Sequence, residues 1–135
     1  MEQLCATWAL IEPDSCNFEK YMVEVDVPFL TRKAACNLKP DVIISKAGDV
    51  IKIRSESTFK NHEISFKLGE EFDEETADGR KTKTNVTLEN GILIQLQKWS
   101  GKESTITREV KDDDQMVTTC IAGDAKAVRV YKKKK

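Results

Sequence analysis

Residues 81–99 read Lys81-Thr82-Lys83-Thr84-Asn85-Val86-Thr87-Leu88-Glu89-Asn90-Gly91-Ile92-Leu93-Ile94-Gln95-Leu96-Gln97-Lys98-Trp99. Two runs rich in Thr, Val and Ile flank Asn90-Gly91. That dipeptide signals a hairpin, because a two-residue type I′ turn needs positive φ at both central positions. Outward from this hairpin the same punctuation recurs. Gly69, Asp78-Gly79, Ser100-Gly101, Asp112-Asp113-Asp114 and Gly123-Asp124 break the chain at intervals of 10–12 residues, and Gly48 marks an earlier break. Regular turns between short runs describe an all-β sandwich or barrel.

The intervening runs predict ten strands, at about 7–11, 41–46, 50–55, 58–67, 71–76, 81–88, 92–99, 103–111, 115–122 and 126–132. Short links between most neighbours make the order an up-and-down antiparallel meander. Left open, it would expose two long edges; closure into a barrel removes them. Asn17–Asn37 breaks the pattern. It lacks glycine, and Phe18, Tyr21, Met22 and Val25 recur at helical spacing, with Glu19, Lys20 and Glu24 opposite. Pro28 suits the first turn of a second helix, which ends before Lys39-Pro40. The expected architecture is one domain over 1–135: a ten-stranded barrel with a helix pair, about 17–37, covering one open end. Such a barrel has room for a ligand cavity.

Composition narrows the function classes. Twenty-two Lys and Arg balance 23 Asp and Glu, which argues against a nucleic-acid binder. No apolar run approaches the roughly 18 residues of a membrane span. The start, Met1-Glu2-Gln3-Leu4-Cys5, has no basic region and reads as no signal peptide. Cys5, Cys16, Cys36 and Cys120 form no CxxC and are expected as free thiols in a reducing compartment, where the sequon Asn85-Val86-Thr87 stays silent. A single histidine, His62, and scattered cysteines offer no metal-ligand spacing. No GxSxG elbow or triad is present. The expectation is therefore a protein without enzymatic activity, metal or cofactor. Glu70-Glu71 and Glu74-Glu75 read as solvated turn ends, and Lys132–Lys135 as a frayed terminus.

One charge stands out. In Ser104–Lys111, alternation puts Arg108 on the face of Ile106 and Val110. An arginine on an apolar face needs an anionic partner, either one of the chain's own acids or a ligand. Arg129 and Tyr131 share a face of their strand, but Val128 and Val130 take the opposite one, so which side is inside stays open.

Longer stretches of the chain resemble the intracellular lipid-binding proteins, in particular the heart, adipocyte, brain and myelin group of fatty-acid-binding proteins. The resemblance is carried by Ala6-Thr7-Trp8, Asn17–Met22, Thr31-Arg32-Lys33, Lys39-Pro40, Ser57–Asn61, Glu63–Glu74, Thr76–Lys81, Gln97-Lys98-Trp99, Gly101-Lys102-Glu103 and Arg129-Val130-Tyr131. It implies a ten-stranded β-clam with a helix-turn-helix lid. It also implies a cytoplasmic carrier, with the nucleus as a second location, that binds long-chain fatty acids and delivers them to membranes. Arg108, Arg129 and Tyr131 match the carboxylate clamp. Phe59 matches the portal, and Phe18, Tyr21, Met22, Pro40, Ser55, Ser57, Ala77, Asp78 and Cys120 match the cavity or its mouth. The expected partners are a hydrophobic acid and, transiently, anionic membranes touched through Lys20, Arg32 and Lys33; the expected state is a monomer. A bilayer-stacking membrane-surface protein and a retinoic-acid-type carrier are the alternatives. The chain departs from the family pattern at Ala6, at Glu12–Cys16, at Val25-Asp26-Val27-Pro28 and at Asp112–Gln115. Three of these surround the lid.

Overall fold

The computed structural model describes residues 1–36, 38–58, 61–76 and 79–134. Ten strands run in chain order: β1 (Thr7–Glu12), β2 (Asp41–Ala47), β3 (Val50–Glu56), β4 (His62–Lys67), β5 (Phe72–Glu75), β6 (Lys81–Glu89), β7 (Ile92–Trp99), β8 (Lys102–Lys111), β9 (Gln115–Ala122) and β10 (Ala125–Lys133). Helices α1 (Ser15–Glu24) and α2 (Phe29–Cys36) lie between β1 and β2. Every pairing is antiparallel, and the spatial order is β4-β3-β2-β1-β10-β9-β8-β7-β6-β5.

Turn chemistry sets the register. Asn90 and Gly91 have φ of +53° and +81°, and Glu89 pairs directly with Ile92, as the type I′ hairpin requires. At the β8–β9 turn, Asp112 and Asp113 both take positive φ without glycine, a conformation that Asp tolerates better than most residues. Strand β4 begins at His62, later than the expected 58. Before it, the Asn61 side chain accepts a hydrogen bond from the Ser57 amide at 3.3 Å, turning the chain.

The barrel is nearly closed. No ladder joins β4 to β5, the two ends of the sheet order. Side chains span this seam instead: the Phe66 and Phe72 rings stack 5.4 Å apart, 6° from parallel. Within that order β1 and β10 pair directly, so the first and last strands are neighbours.

Period-two alternation turns one face of each strand inward. The inward residues form two packed clusters. One contains Leu4, Trp8, Ile44, Ile51, Phe66, Leu93 and Met116. A 3₁₀ turn at Glu2–Leu4 belongs to it, and the Trp8 indole donates to the Leu4 carbonyl at 3.0 Å. The other cluster joins Tyr21, Met22, Val25 and Val27 of the lid to Cys120, Ala122 and Ala127 of β9 and β10.

The lid link, which lacks glycine, is solved by Asp26 at φ +64°. The Val27 amide donates to the Met22 carbonyl and the Asp26 amide to the Val23 carbonyl, a Schellman closure of α1. Val25 and Val27 are thereby buried, and the Lys102 ammonium donates to Asp26 Oδ2 at 2.5 Å. Helix α2 buries no residue fully and packs chiefly on α1. The C-terminal lysines are not frayed throughout. Lys132 and Lys133 extend β10, and the Lys134 amide and ammonium reach the Thr7 carbonyl and Asp41.

The stacked pair across the seam should be costly to lose. Phe66→Ala is expected to lower unfolding free energy by about 3–5 kcal/mol, as for other buried phenylalanines, measured by urea denaturation.

Candidate binding site

Between the two packed clusters lies a cavity of about 260 Å³. Its wall is mostly apolar; polar groups enter it from β5, β7, β8, β9 and β10, and also from Ser55, His62, Thr76 and Arg80. Strands β8, β9 and β10 are adjacent, and their register sets three side chains in a row. Arg108 pairs with Thr118, and Thr118 pairs with Arg129. With neighbouring strands about 4.8 Å apart, the two arginine backbones stand about 10 Å apart across one threonine. Tyr131 lies two residues beyond Arg129 on the same face. This resolves the face of β10: Arg129 and Tyr131 are buried, while Val128 is 37% exposed.

The electrostatics of this row are unusual. Among the described residues, no ion pair involves Arg108 or Arg129. An internal salt bridge, one of the two sequence readings of Arg108, is therefore absent among them. Arg108 Nη1 donates to Gln95 Oε1 at 2.8 Å. The Arg129 guanidinium lies 3.8 Å from the centroid of the Phe18 ring, a cation–π contact supplied by the lid. Phe18 in turn stacks on Tyr21. Arg129 Nε and Thr118 Oγ1 are buried with no hydrogen-bond partner. Burial pushes the Tyr131 phenol above its ordinary pKa, against the pull of Arg129, so it stays protonated as a neutral donor. Arg108 and Arg129, with a phenol and a threonine hydroxyl, face a mostly apolar space that Arg80, 4.6 Å from the Trp99 ring centroid, also lines; such a set can hold an anionic head with an apolar tail.

A second polar group was not expected. Glu74, read from sequence as a solvated turn end, is only 6% exposed. Alternation along β5 explains it: Glu75 faces out, so Glu74 faces in. Its Oε1 accepts from Thr84 Oγ1 at 2.8 Å and from the amides of Gln95 and Gln97 at 3.0 Å each. Gln97 Oε1 accepts from Ser104, whose oxygen accepts from the Tyr21 hydroxyl at 3.1 Å. A continuous hydrogen-bond chain thus runs from Arg108 to the lid helix. The signal for it was present in Leu93, Gln95 and Gln97, which share one face of β7.

Phe18, Tyr21, Met22, Pro40, Ser55, Ser57, Cys120, Arg108, Arg129 and Tyr131 all line the cavity. Phe59, Ala77 and Asp78 lie outside the described residues. The basic residues of the lid do not gather in the cavity. Lys20 is exposed, whereas Arg32 and Lys33 both pair with Glu19, at 3.3 and 2.6 Å. Lys33 first, and Arg32 after it, hold the Glu19 carboxyl below its ordinary pKa.

Comparison with known proteins agrees with this geometry. The model of the lipocalin / cytosolic fatty-acid binding protein family matches residues 6–134. The chain belongs to that family. It is 53% identical over 132 residues to the adipocyte fatty acid-binding protein of Pygoscelis papua, covering 98% of each chain. Its fold superposes on fatty-acid-binding protein 1 of Echinococcus granulosus with a TM-score of 0.92 at 38% identity, covering 98% of both. A fatty acid binding protein of Schistosoma mansoni, solved in complex with arachidonic acid, gives a TM-score of 0.91 at 37% identity, covering 100% of this chain and 98% of that one.

Cys120 reports on the cavity wall. Burial raises its thiol pKa, partly offset by Arg129, and the thiolate is the reactive form. Iodoacetamide should label it far more slowly than exposed Cys16. Its rate should still climb with pH beyond the ordinary thiol range, as followed by peptide mass mapping.

Proposed function

We propose that this protein is a non-enzymatic intracellular carrier that takes up a long-chain fatty acid reversibly. The carboxylate would be held by Arg108, Arg129 and Tyr131, and the hydrocarbon tail by the apolar cavity wall. The observation that carries this reading is the pair of arginines on either side of Thr118, without an acidic partner among the described residues. Their relatives bear on the ligand class: one is named for fatty acids and another was solved with arachidonic acid. An entering carboxylate relieves the repulsion between two like charges and satisfies Arg129 Nε. Each methylene buried behind it contributes about 0.8 kcal/mol, so affinity should rise with chain length until the cavity is full.

Titration with a fluorescent fatty acid tests the clamp. Arg129→Gln should weaken binding by about 2–5 kcal/mol, the usual cost of truncating one partner of a buried charge pair. Unchanged affinity with an intact circular-dichroism spectrum would place the head group elsewhere.

The reading extends to delivery. The monomeric carrier works in the cytoplasm, with the nucleus as a second site, and meets membranes through its lid. The lid carries three acids and three bases, Glu19, Glu24 and Asp26 against Lys20, Arg32 and Lys33. Arg32 and Lys33 are already paired. The exposed features are apolar: Leu30 is 80% exposed, Phe29 59% and Val23 53%. Contact by apolar insertion, with Lys20 as the unpaired cation, follows from this distribution better than attraction by a basic patch. Transfer to vesicles in stopped flow should accelerate with acceptor concentration. It should slow several-fold in Leu30→Ser with Phe29→Ser, and change little between 0.05 and 0.5 M salt. A rate independent of acceptor concentration would mean release through water.

A further inference from the structure

Glu74 presents one oxygen to the barrel wall and leaves the other unengaged. All three of its hydrogen bonds converge on Oε1. Among the described residues Oε2 accepts no hydrogen bond, and the residue, more than nine-tenths buried, lines the cavity. A carboxylate oxygen open to a cavity takes its donor from whatever fills that cavity. Its neighbours cannot easily turn to help, because each is already committed. Gln95 gives its amide to Glu74 and its carbonyl to Arg108, while Gln97 gives its amide to Glu74 and its carbonyl to Ser104. A ligand in the cavity can therefore supply the donor that these two glutamines do not.

We infer that Glu74 Oε2 is a second polar subsite, which selects fatty acids bearing a hydroxyl group near the carboxylate end. The inference rests on the carrier reading above. Distance assigns the position of the hydroxyl. Arg108 Nη1 reaches Glu74 Oε1 through a single glutamine side chain, so the two lie within about 8 Å of each other. A carboxylate held at Arg108 therefore brings roughly its first six carbons past Glu74. The donor and acceptor pattern sets the sign. A hydroxyl can donate to the carboxyl oxygen Oε2, as Thr84 and the two glutamine amides donate to Oε1. A methoxy group at the same carbon can only accept and meets an acceptor. An unsubstituted chain leaves Oε2 as it is.

The test measures displacement of a fluorescent fatty acid by four C18 competitors: stearic acid, its 3-hydroxy and 3-methoxy derivatives, and 12-hydroxystearic acid. Wild-type protein should bind the 3-hydroxy acid about tenfold more tightly than the 3-methoxy acid, with no such advantage for a hydroxyl at carbon 12. In Glu74→Gln the amide carbonyl can still accept from Thr84, Gln95 and Gln97, and the amide nitrogen then faces the cavity as a donor. The preference for hydroxy over methoxy should fall to near unity or reverse. Equal binding of the two derivatives by wild type overturns the subsite, as does an undiminished preference in the variant, while stearic acid binding leaves the carrier reading standing. If the variant does not fold, the wild-type comparison of carbons 3 and 12 decides alone. If no competitor displaces the probe, the carrier reading falls and the subsite with it.

Discussion

Arg108 and Arg129 face one small, mostly apolar cavity that Arg80 also lines, and much of the surrounding structure offsets the cost of the first two. Burying a cation without a partner is expensive, and like charges repel in a low-dielectric interior. Here the compensation is distributed. Phe18 lays its ring against Arg129, Gln95 accepts from Arg108, and Glu74 stands one glutamine away from Arg108. None of these is a direct ion pair. The arginines are held in place but not neutralised, so their attraction for an anion survives folding. A direct salt bridge would have neutralised them.

The lid is part of this arrangement rather than a separate cover. Phe18 touches Arg129, and Tyr21 ends the hydrogen-bond chain that begins at Arg108. The amide of Val128, on the outer face of β10, donates to Asp14 at the start of α1. Helix α1 is therefore fixed at several points to the same strands that carry the site. Helix α2, attached mainly through α1 and burying nothing fully, is the looser of the two. Sites of low local stability are where openings are expected.

The sequence revealed much of the fold because turns and alternation are local signals. Asn90-Gly91 and its counterparts located the strand ends, and Phe18, Tyr21, Met22 and Val25 located the first helix. Arg108 was placed on the inner face by Ile106 and Val110 alone. Other parts depended on tertiary neighbours. Arg129 and Tyr131 alternate with valines, so both faces of β10 looked equally able to be inside until the pairing with β9 set Arg129 opposite Thr118. Glu74 sat in a run of acids where only the phase of a four-residue strand separates it from exposed Glu75. Thr118 has no distinguishing feature in sequence; it matters because it pairs with both arginines. The seam between β4 and β5 was also hidden, since counting strands cannot say whether the last gap is bridged by backbone or by phenylalanine rings.

The direct pairing of β1 with β10 has a consequence for how the molecule is made. Most strands pair with the one just synthesised, so hairpins can form while translation continues. The strand that starts the barrel pairs early with β2, but cannot find its other partner, β10, until residues near 130 have left the ribosome. This contact spans nearly the whole chain, and loop closure of that length is slow relative to local pairing. Arg129 and Tyr131 lie on the strand that makes it. The row of Arg108, Thr118 and Arg129 therefore needs the end of the chain in place, and a chain that stops before β10 would leave the edges of β1 and β9 unpaired.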